Sequence, residues 1–429
     1  MAAFAAVRCQ QIGTANRQGI GLMGDILFLA HRVPWPPNRG DKIRSYNFLK
    51  KLTEVASVHL ACFADDPDDA SKADVIQERL ASCEIVVRDK PQWRAGIEAL
   101  ISGKPVSLSS FESDALAQSI GQTIQNNQID CIFIFSGQMA QYIPSGFSGR
   151  VIMDFVDVDS AKFESYAETG FGPMAWINKR EGKLLKAFES DIVKSVDKSL
   201  FVSQKEADFF CKRSGLNTDV VRAVGNGIDL SFYDPTKIEP EKKPTSGPLI
   251  IFTGQMDYRP NVEAVQSFAT EVMPNILSQH PEACFAIVGR APTDAVKSLQ
   301  GKNGVVVTGS VPDIRQWLKA ADVVVAPLRI ARGIQNKVLE AMAMGKPVVA
   351  STAAAEGIIA EHGKHFLIAK SVTEEVAQVS QLINDQSLAD QIGQAAQQYI
   401  HSFYSWDSQL SNLHQICGFQ SDQILEAAE

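Results

Sequence analysis

Short runs of β-branched and large apolar residues alternate along this chain with longer stretches in which apolar positions recur at helical spacing. A continuous apolar run of about four to eight residues marks a strand buried on both faces, and the longer period marks a helix that covers it; the alternation therefore predicts parallel sheets. DILFLA (25–30), VHLACFA (58–64), CIFIFS (131–136), RVIMDFV (150–156) and KSLFVS (198–203) form one strand series. LIIFTG (249–254), CFAIVG (284–289), VVVTG (305–309), DVVVAP (322–327) and PVVAS (347–351) form a second, interleaved with helical segments at 261–271, 312–320 and 335–344. Between the series, TKIEPEKKPTSGP (236–248) has no apolar period and reads as an exposed linker. The pattern divides the chain into an extension (1–24), a first Rossmann-like domain (25–235), the linker (236–248), a second Rossmann-like domain (249–400) and a C-terminal helix and tail (401–429). The predicted fold is α/β, with two doubly wound parallel sheets facing across a cleft at the carboxyl ends of their strands, where such sheets bind ligands.

Composition narrows the function classes. A formal net charge of −8 over 429 residues argues against a nucleic-acid surface, since affinity for a polyanion needs clustered positive charge. The seven cysteines are scattered, with no CxxC pair and no zinc-ligand spacing, so they are expected to be reduced and the protein cytoplasmic. No apolar run approaches the roughly 18–20 residues needed to span a bilayer; contact with a membrane is expected to be peripheral at most, at its inner face. The first 24 residues lack a charged-then-apolar signal layout and are expected to form a disordered extension. A start at Met23 would remove nothing that the fold needs.

The second series contains a complete strand, loop, helix, strand unit. DVVVAPL gives the strand, RIARGIQN the loop and KVLEAMAM the helix, with Gly345 and Pro347 as its stop. This order puts the helix N-terminus at the carboxyl edge of the sheet, where unpaired N–H groups and a partial charge of about +0.5 suit a phosphate. Gly333 would let the backbone approach closely, Ile334, Gln335 and Asn336 would offer the first N–H groups, and Arg332 and Lys337 would add full charges. Glu340 lies one turn beyond Lys337, and a carboxylate there is suited to accept hydrogen bonds from the vicinal hydroxyls of a ribose. In the first domain, PPNRGDKIRSY places Gly40 at a turn into a helix, with Arg39, Asp41 and Arg44 beside it. His31 directly follows DILFLA, and so is a candidate catalytic group at the strand's carboxyl end.

KVLEAMAMGKPVVAS resembles the signature of retaining glycosyltransferases of the GT-B fold, in particular glycosyltransferase family 4. FVSQKEADFF and VGNGIDLSFYDP resemble the family's end of the first domain, FTGQMDYRPNVEAV the first strand and helix of its second, and FAIVGRAP the next strand. LAHRVPWPPNRGDKIRSYNFLKKL resembles the acceptor-domain loop found among exopolysaccharide-associated sugar transferases. The likeness covers residues from about 25 to about 410. It implies transfer of a sugar from a nucleotide-diphosphate sugar, with retained configuration, to a glycan or a lipid-linked acceptor, without cofactor or metal. It also implies donor contacts at Gly254, Arg259, Arg290, Arg332, Lys337 and Glu340. Two positions depart from the family pattern: Arg332 stands where relatives often carry a second glutamate, and Gln255 where an arginine is common.

The catalytic assignments are Lys337, Glu340, Arg259 and His31, the cations and helix N–H groups stabilising charge on the departing phosphate. Asp157 and Asp159 form a DxD tripeptide with three uses open: binding a divalent cation, orienting the acceptor or supporting the cleft, and capping the next helix. HGKH (362–365) reads as a polar turn. Two other functions fit the same residues, a nucleotide-sugar epimerase and a non-catalytic nucleotide-sugar-binding subunit.

Overall fold

A computed structural model describes residues 7–8, 24–37, 39–169, 171–216, 219–331 and 334–419. The chain forms two units: unit 1 is Met1–Gly225 with Leu410–Glu429, and unit 2 is Asn226–Gln409. Each is built on one sheet.

In unit 1 the strands are β1 (Val7–Arg8), β2 (Asp25–Ala30), β3 (Ser57–Ala64), β4 (Ser82–Val87), β5 (Ile129–Phe135), β6 (Arg150–Val156), β7 (Lys198–Phe201) and β8 (Val221–Ala223). They lie in the order β1-β4-β3-β2-β5-β6-β7-β8, parallel throughout except that β1 pairs antiparallel with β4. Ile26 to Ala30 and Cys131 to Phe135 are buried, as strands covered on both faces must be. Phe28 of β2 stacks on Phe133 of β5 with ring centroids 5.2 Å apart. The strand order reverses between β2 and β5, which opens a crevice above their carboxyl ends. A buried ion pair ties the next helix to the sheet: Arg44 Nε and Nη2 of Gly40–Leu52 donate to Asp154 of β6 at 2.8 and 3.1 Å.

Unit 2 holds β9 (Leu249–Thr253), β10 (Cys284–Val288), β11 (Val305–Gly309), β12 (Val323–Ala326), β13 (Val348–Ser351) and β14 (Leu367–Ala369). All are parallel, in the order β11-β10-β9-β12-β13-β14, and the order reverses between β9 and β12. Both sheets are the Rossmann-like parallel sheets that the apolar runs predict.

The sequence pattern does not mark every element. β4 alternates buried and half-buried residues, and β8 and β14 are three residues each, too short for a period to show. The helix expected at 261–271 is longer and changes winding. Arg259–Ser267 passes through a π turn, Phe268–Val272, into Met273–Gln279, and the Met273 N–H bonds the Phe268 carbonyl. Pro274 has no N–H to give to a carbonyl of the preceding turn, and the wider turn stands immediately before it. Helices Val372–Asn384 and Gln386–Phe403 cover unit 2, with Gln397 Nε2 donating to the Ala343 carbonyl at 3.1 Å. From Leu410 the chain rejoins unit 1, where the Arg150 Nε–H donates to the Ile416 carbonyl at 2.8 Å and Leu413 and Cys417 are buried.

Candidate active site

The reversal point of unit 2 is shaped by two glycines. Gly254 directly follows β9 and Gly289 directly follows β10, and a Cβ on Gly289 would overlap the Gly254 carbonyl oxygen. The strand ends therefore approach more closely than any side chain permits. Beyond Gly254 the chain turns sharply. The Met256 N–H bonds the Arg290 carbonyl at 2.9 Å, and Asn261 Nδ2 donates to the Gln255 carbonyl at 2.8 Å.

Asn261 in turn positions Lys337, whose Nζ donates to Asn261 Oδ1 at 2.6 Å and stands 4.2 Å from the centroid of the buried Phe252 ring. Burial lowers the pKa of Lys337 to about 8, against the opposing pull of the Glu340 carboxylate. Glu340 is raised, by burial first; a hydrogen bond from the Tyr233 hydroxyl and the charge of Lys337 oppose the rise. Tyr233 is held by its own neighbours: the Arg315 guanidinium lies 3.8 Å above the Phe232 ring and donates to the Phe232 carbonyl at 2.7 Å, and Lys319 Nζ donates to the Pro235 carbonyl at 2.6 Å.

These groups line a cavity of about 270 Å³ bounded by Thr253, Gly254, Gln255, Tyr258, Asn261, Ile314, Gln335, Lys337 and Glu340. Helix Asn336–Ala343 starts at it with Gln335 as N-cap, whose side chain makes no capping hydrogen bond, and a helix N-terminus carries the partial positive charge that suits an anion. Thr253 Oγ1 is buried at the wall of this cavity without a hydrogen-bond partner among the described residues.

The structure thus brings together Gly254, Gln335, Lys337 and Glu340 of the residues singled out from the sequence. Ile334 packs on the unit 2 core and Asn336 is exposed. Arg259 does not line the cavity; it is exposed and bonds Glu263 at 2.7 Å, one turn along its own helix. Arg290 is also exposed, and its Nη2 donates to Gln255 Oε1 at 3.1 Å. Gln255 therefore meets the arginine that follows β10. Arg332 and Gly333 lie outside the described residues. Tyr233, Asn261 and Thr253 were not singled out from the sequence, where no local spacing connects them to Lys337 or Glu340.

Unit 1 has its own polar group above β2. His31 is buried, with Nε2 3.3 Å from Asp41 and 3.0 Å from Arg32 Nη1, while its Nδ1 is buried without a partner among the described residues. Burial lowers its pKa, partly countered by the hydrogen bond with Asp41. Burial also works against ionising Asp41, but the hydrogen bond with His31 and the charges of Arg39 and Arg32 hold its carboxyl well below the usual range. Arg32 also bonds Asp41 and Asp65 at 2.8 Å each, and Asp65 accepts from Arg88 at 2.8 Å. Gly40 opens helix Gly40–Leu52 and faces open space. Asp159 starts helix Asp159–Thr169 and lies 3.9 Å from Lys162. Among the described residues no group of three or more His, Cys, Asp or Glu side chains is placed to hold a metal ion. Among the same residues no helix is long and apolar enough to cross a membrane.

The family profile described as glycosyl transferases group 1 matches residues 247–385. A phosphatidyl-myo-inositol mannosyltransferase of Propionibacterium freudenreichii subsp. shermanii is 27% identical over 226 residues, 50% of this chain and 54% of that protein. The chain spans about half the length of the curated relatives it matches. Among solved structures, sucrose-phosphate synthase from Thermosynechococcus elongatus superposes with a TM-score of 0.62 at 16% identity, over 95% of this chain and 100% of that one. Anabaena HepE, crystallised in complex with UDP, gives 0.63 at 16% identity, over 92% and 99%. The chain has the GT-B fold of two Rossmann-like units, and its residues 247–385 are similar to the glycosyl transferases group 1 family.

Proposed function

We propose that this protein is a retaining glycosyltransferase of family 4 that moves a sugar from a nucleotide-diphosphate donor to a glycan or lipid-linked acceptor in the synthesis of an exopolysaccharide or other cell-surface polysaccharide. The observation that carries this reading is the joint presence of the Lys337 ammonium, the Glu340 carboxylate and an open helix N-terminus in one cavity at the carboxyl edge of the unit 2 sheet. The ammonium and the N–H groups suit a diphosphate; the carboxylate, held by Tyr233, suits a ribose. Similarity to a protein crystallised with UDP supports the nucleotide, and similarity to a mannosyltransferase named for a phosphatidyl-inositol acceptor supports the lipid-linked alternative.

In this reading Lys337 and the first N–H groups of its helix offset the charge that grows on the leaving diphosphate. Pre-aligned donors of this kind are worth more in a water-poor site than in solution. Arg290, bonded to Gln255, would help to offset that charge, as would Arg332, and Arg259 would have to leave Glu263 to do so. His31 would serve the acceptor side from unit 1.

Thermal unfolding with UDP, GDP and ADP in parallel tests the donor site, because a ligand at 100 times its Kd stabilises by about 2.7 kcal/mol. One nucleotide diphosphate should raise the Tm, and Lys337→Ala and Glu340→Ala should each weaken its binding by about tenfold or more, equivalent to about 1.4 kcal/mol. Unchanged binding in both variants would remove the proposed site. Tyr233→Phe, which keeps the ring and removes the hydrogen bond to Glu340, should give a smaller loss in the same direction.

A further inference from the structure

Helix Gln92–Ser102 turns its small residues inward and its large apolar residues outward. Ala95 and Ala99 are fully buried, while Trp93, Ile97, Leu100 and Ile101 stand at i, i+4, i+7 and i+8 on the opposite face, with Trp93 69% and Ile101 82% exposed. A surface helix ordinarily lays its wide apolar stripe on the core. This one leaves the stripe uncovered. A second exposed apolar group opens the 24-residue helix Gly172–Ser195: Phe171 is 93% exposed, Trp176 59%, and Met174 and Ile177 accompany them.

The two groups belong to one face of unit 1. Arg180 Nη2 donates to the Ala99 carbonyl at 2.8 Å and Nη1 to the Lys104 carbonyl at 3.2 Å, and Glu181 accepts from the N–H groups of Val106 and Ser107 at 2.7 and 2.8 Å. Trp176 and Ile177 stand one turn before Arg180, and Leu100 and Ile101 directly follow Ala99. Topology sets the position of this face. The long helix ends just before β7, at the amino edge of a parallel sheet, and 24 residues at 1.5 Å each span about 36 Å. Its exposed start therefore lies toward the carboxyl edge, the edge that carries His31 and Gly40.

Charge decides what kind of surface would cover it. The chain as a whole is acidic, at −8. Yet from 172 to 186 Lys179, Lys183 and Lys186 are exposed and Arg180 half-exposed, and the lone acid, Glu181, is buried with its oxygens committed to Val106 and Ser107. Arg94 and Lys104 flank the other helix, each paired with a glutamate. A second copy meeting this face about a two-fold axis would set its lysines against their own counterparts; an anionic surface would complement them. Exposed tryptophans and aliphatic side chains beside lysines make the composition that seats a protein at a membrane interface.

We propose that this face docks on a lipid bilayer that carries anionic headgroups, with Trp93, Ile101, Phe171 and Trp176 entering the interface and the lysines of 179–186 lying over the phosphates. The proposal gives peripheral membrane contact a location, and it stands whether or not the unit 2 cavity takes a nucleotide.

Co-sedimentation of the full chain with vesicles tests it, comparing phosphatidylcholine alone with phosphatidylcholine mixed with phosphatidylglycerol. The protein should pellet with the mixed vesicles, only weakly with phosphatidylcholine, and be released by high salt. Trp176→Asp and Ile101→Asp, both at exposed positions, should each reduce binding at least about tenfold without lowering the Tm. Lys183→Ala should reduce it about fivefold on the anionic vesicles and leave phosphatidylcholine binding unchanged. Failure to bind either vesicle, or binding that Trp176→Asp and Ile101→Asp leave intact, overturns the proposal. A dimer that these two variants dissociate, without vesicle binding, overturns it in favour of self-association.

Discussion

Lys337 carries two opposite pH dependences. Its pKa is lowered from 10.5 to about 8 by burial, so between those values the unfolded chain holds a proton that the folded one has lost, and the stability of the unliganded protein should gain with pH in that window. A diphosphate selects the protonated ammonium, so the stabilisation given by UDP, or by whichever nucleotide binds, should instead fade as pH rises beyond about 8. Comparing Tm with and without nucleotide from pH 7 to 10 separates the two. Lys337→Ala should abolish the slope of the nucleotide effect and reduce that of the unliganded protein to the background that Lys346 supplies, a group also lowered to about 8 but bonded to the Ala321 carbonyl away from the cavity. A nucleotide effect independent of pH would separate Lys337 from the ligand. The position of this residue was legible in the sequence, since the order strand, loop, helix already puts Lys337 and Glu340 at the carboxyl edge of the sheet. Its supports were not: Phe252 and Asn261 lie in one stretch and Tyr233 in another, both far from Lys337 in the chain, and only folding brings them to one place.

At the scale of elements, apolar continuity revealed the long central strands because both of their faces are covered. It missed β4, β8 and β14, which are short or alternate. Helix Gln92–Ser102 shows a different limit. Periodicity identifies its apolar stripe, but which face turns inward depends on what the neighbouring elements leave room for, and here that is alanine. The meeting of β9 and β10 likewise lies beyond any local pattern. Gly289→Ala should cost about 1–3 kcal/mol, because the new Cβ overlaps a backbone oxygen and only a shift of a strand end can relieve it. Urea unfolding should show a lower midpoint with an unchanged slope. Gly40→Ala is the contrast, as an added Cβ there meets nothing within 4 Å; equal effects at the two positions would contradict the close approach of the strand ends.

For the whole molecule, the central fact is the route of the chain, which leaves unit 1 at Gly225, completes unit 2 and returns at Leu410. The tail pattern, mostly polar-apolar helix interrupted by HSFYSWD (401–407), gave no sign of that return. All nine residues around the unit 2 cavity, and Tyr233 behind them, lie in the one continuous stretch between those two points. The route also sets how the protein bears a load. Tension applied between Asp25 and Cys417 grips unit 1 at both handles and shields the inserted unit 2 until the segment from Leu410 onward has been peeled away from Arg150 and its neighbours. Optical-tweezers traces should therefore show a small first rip as that segment detaches, with the nucleotide altering only the later ones.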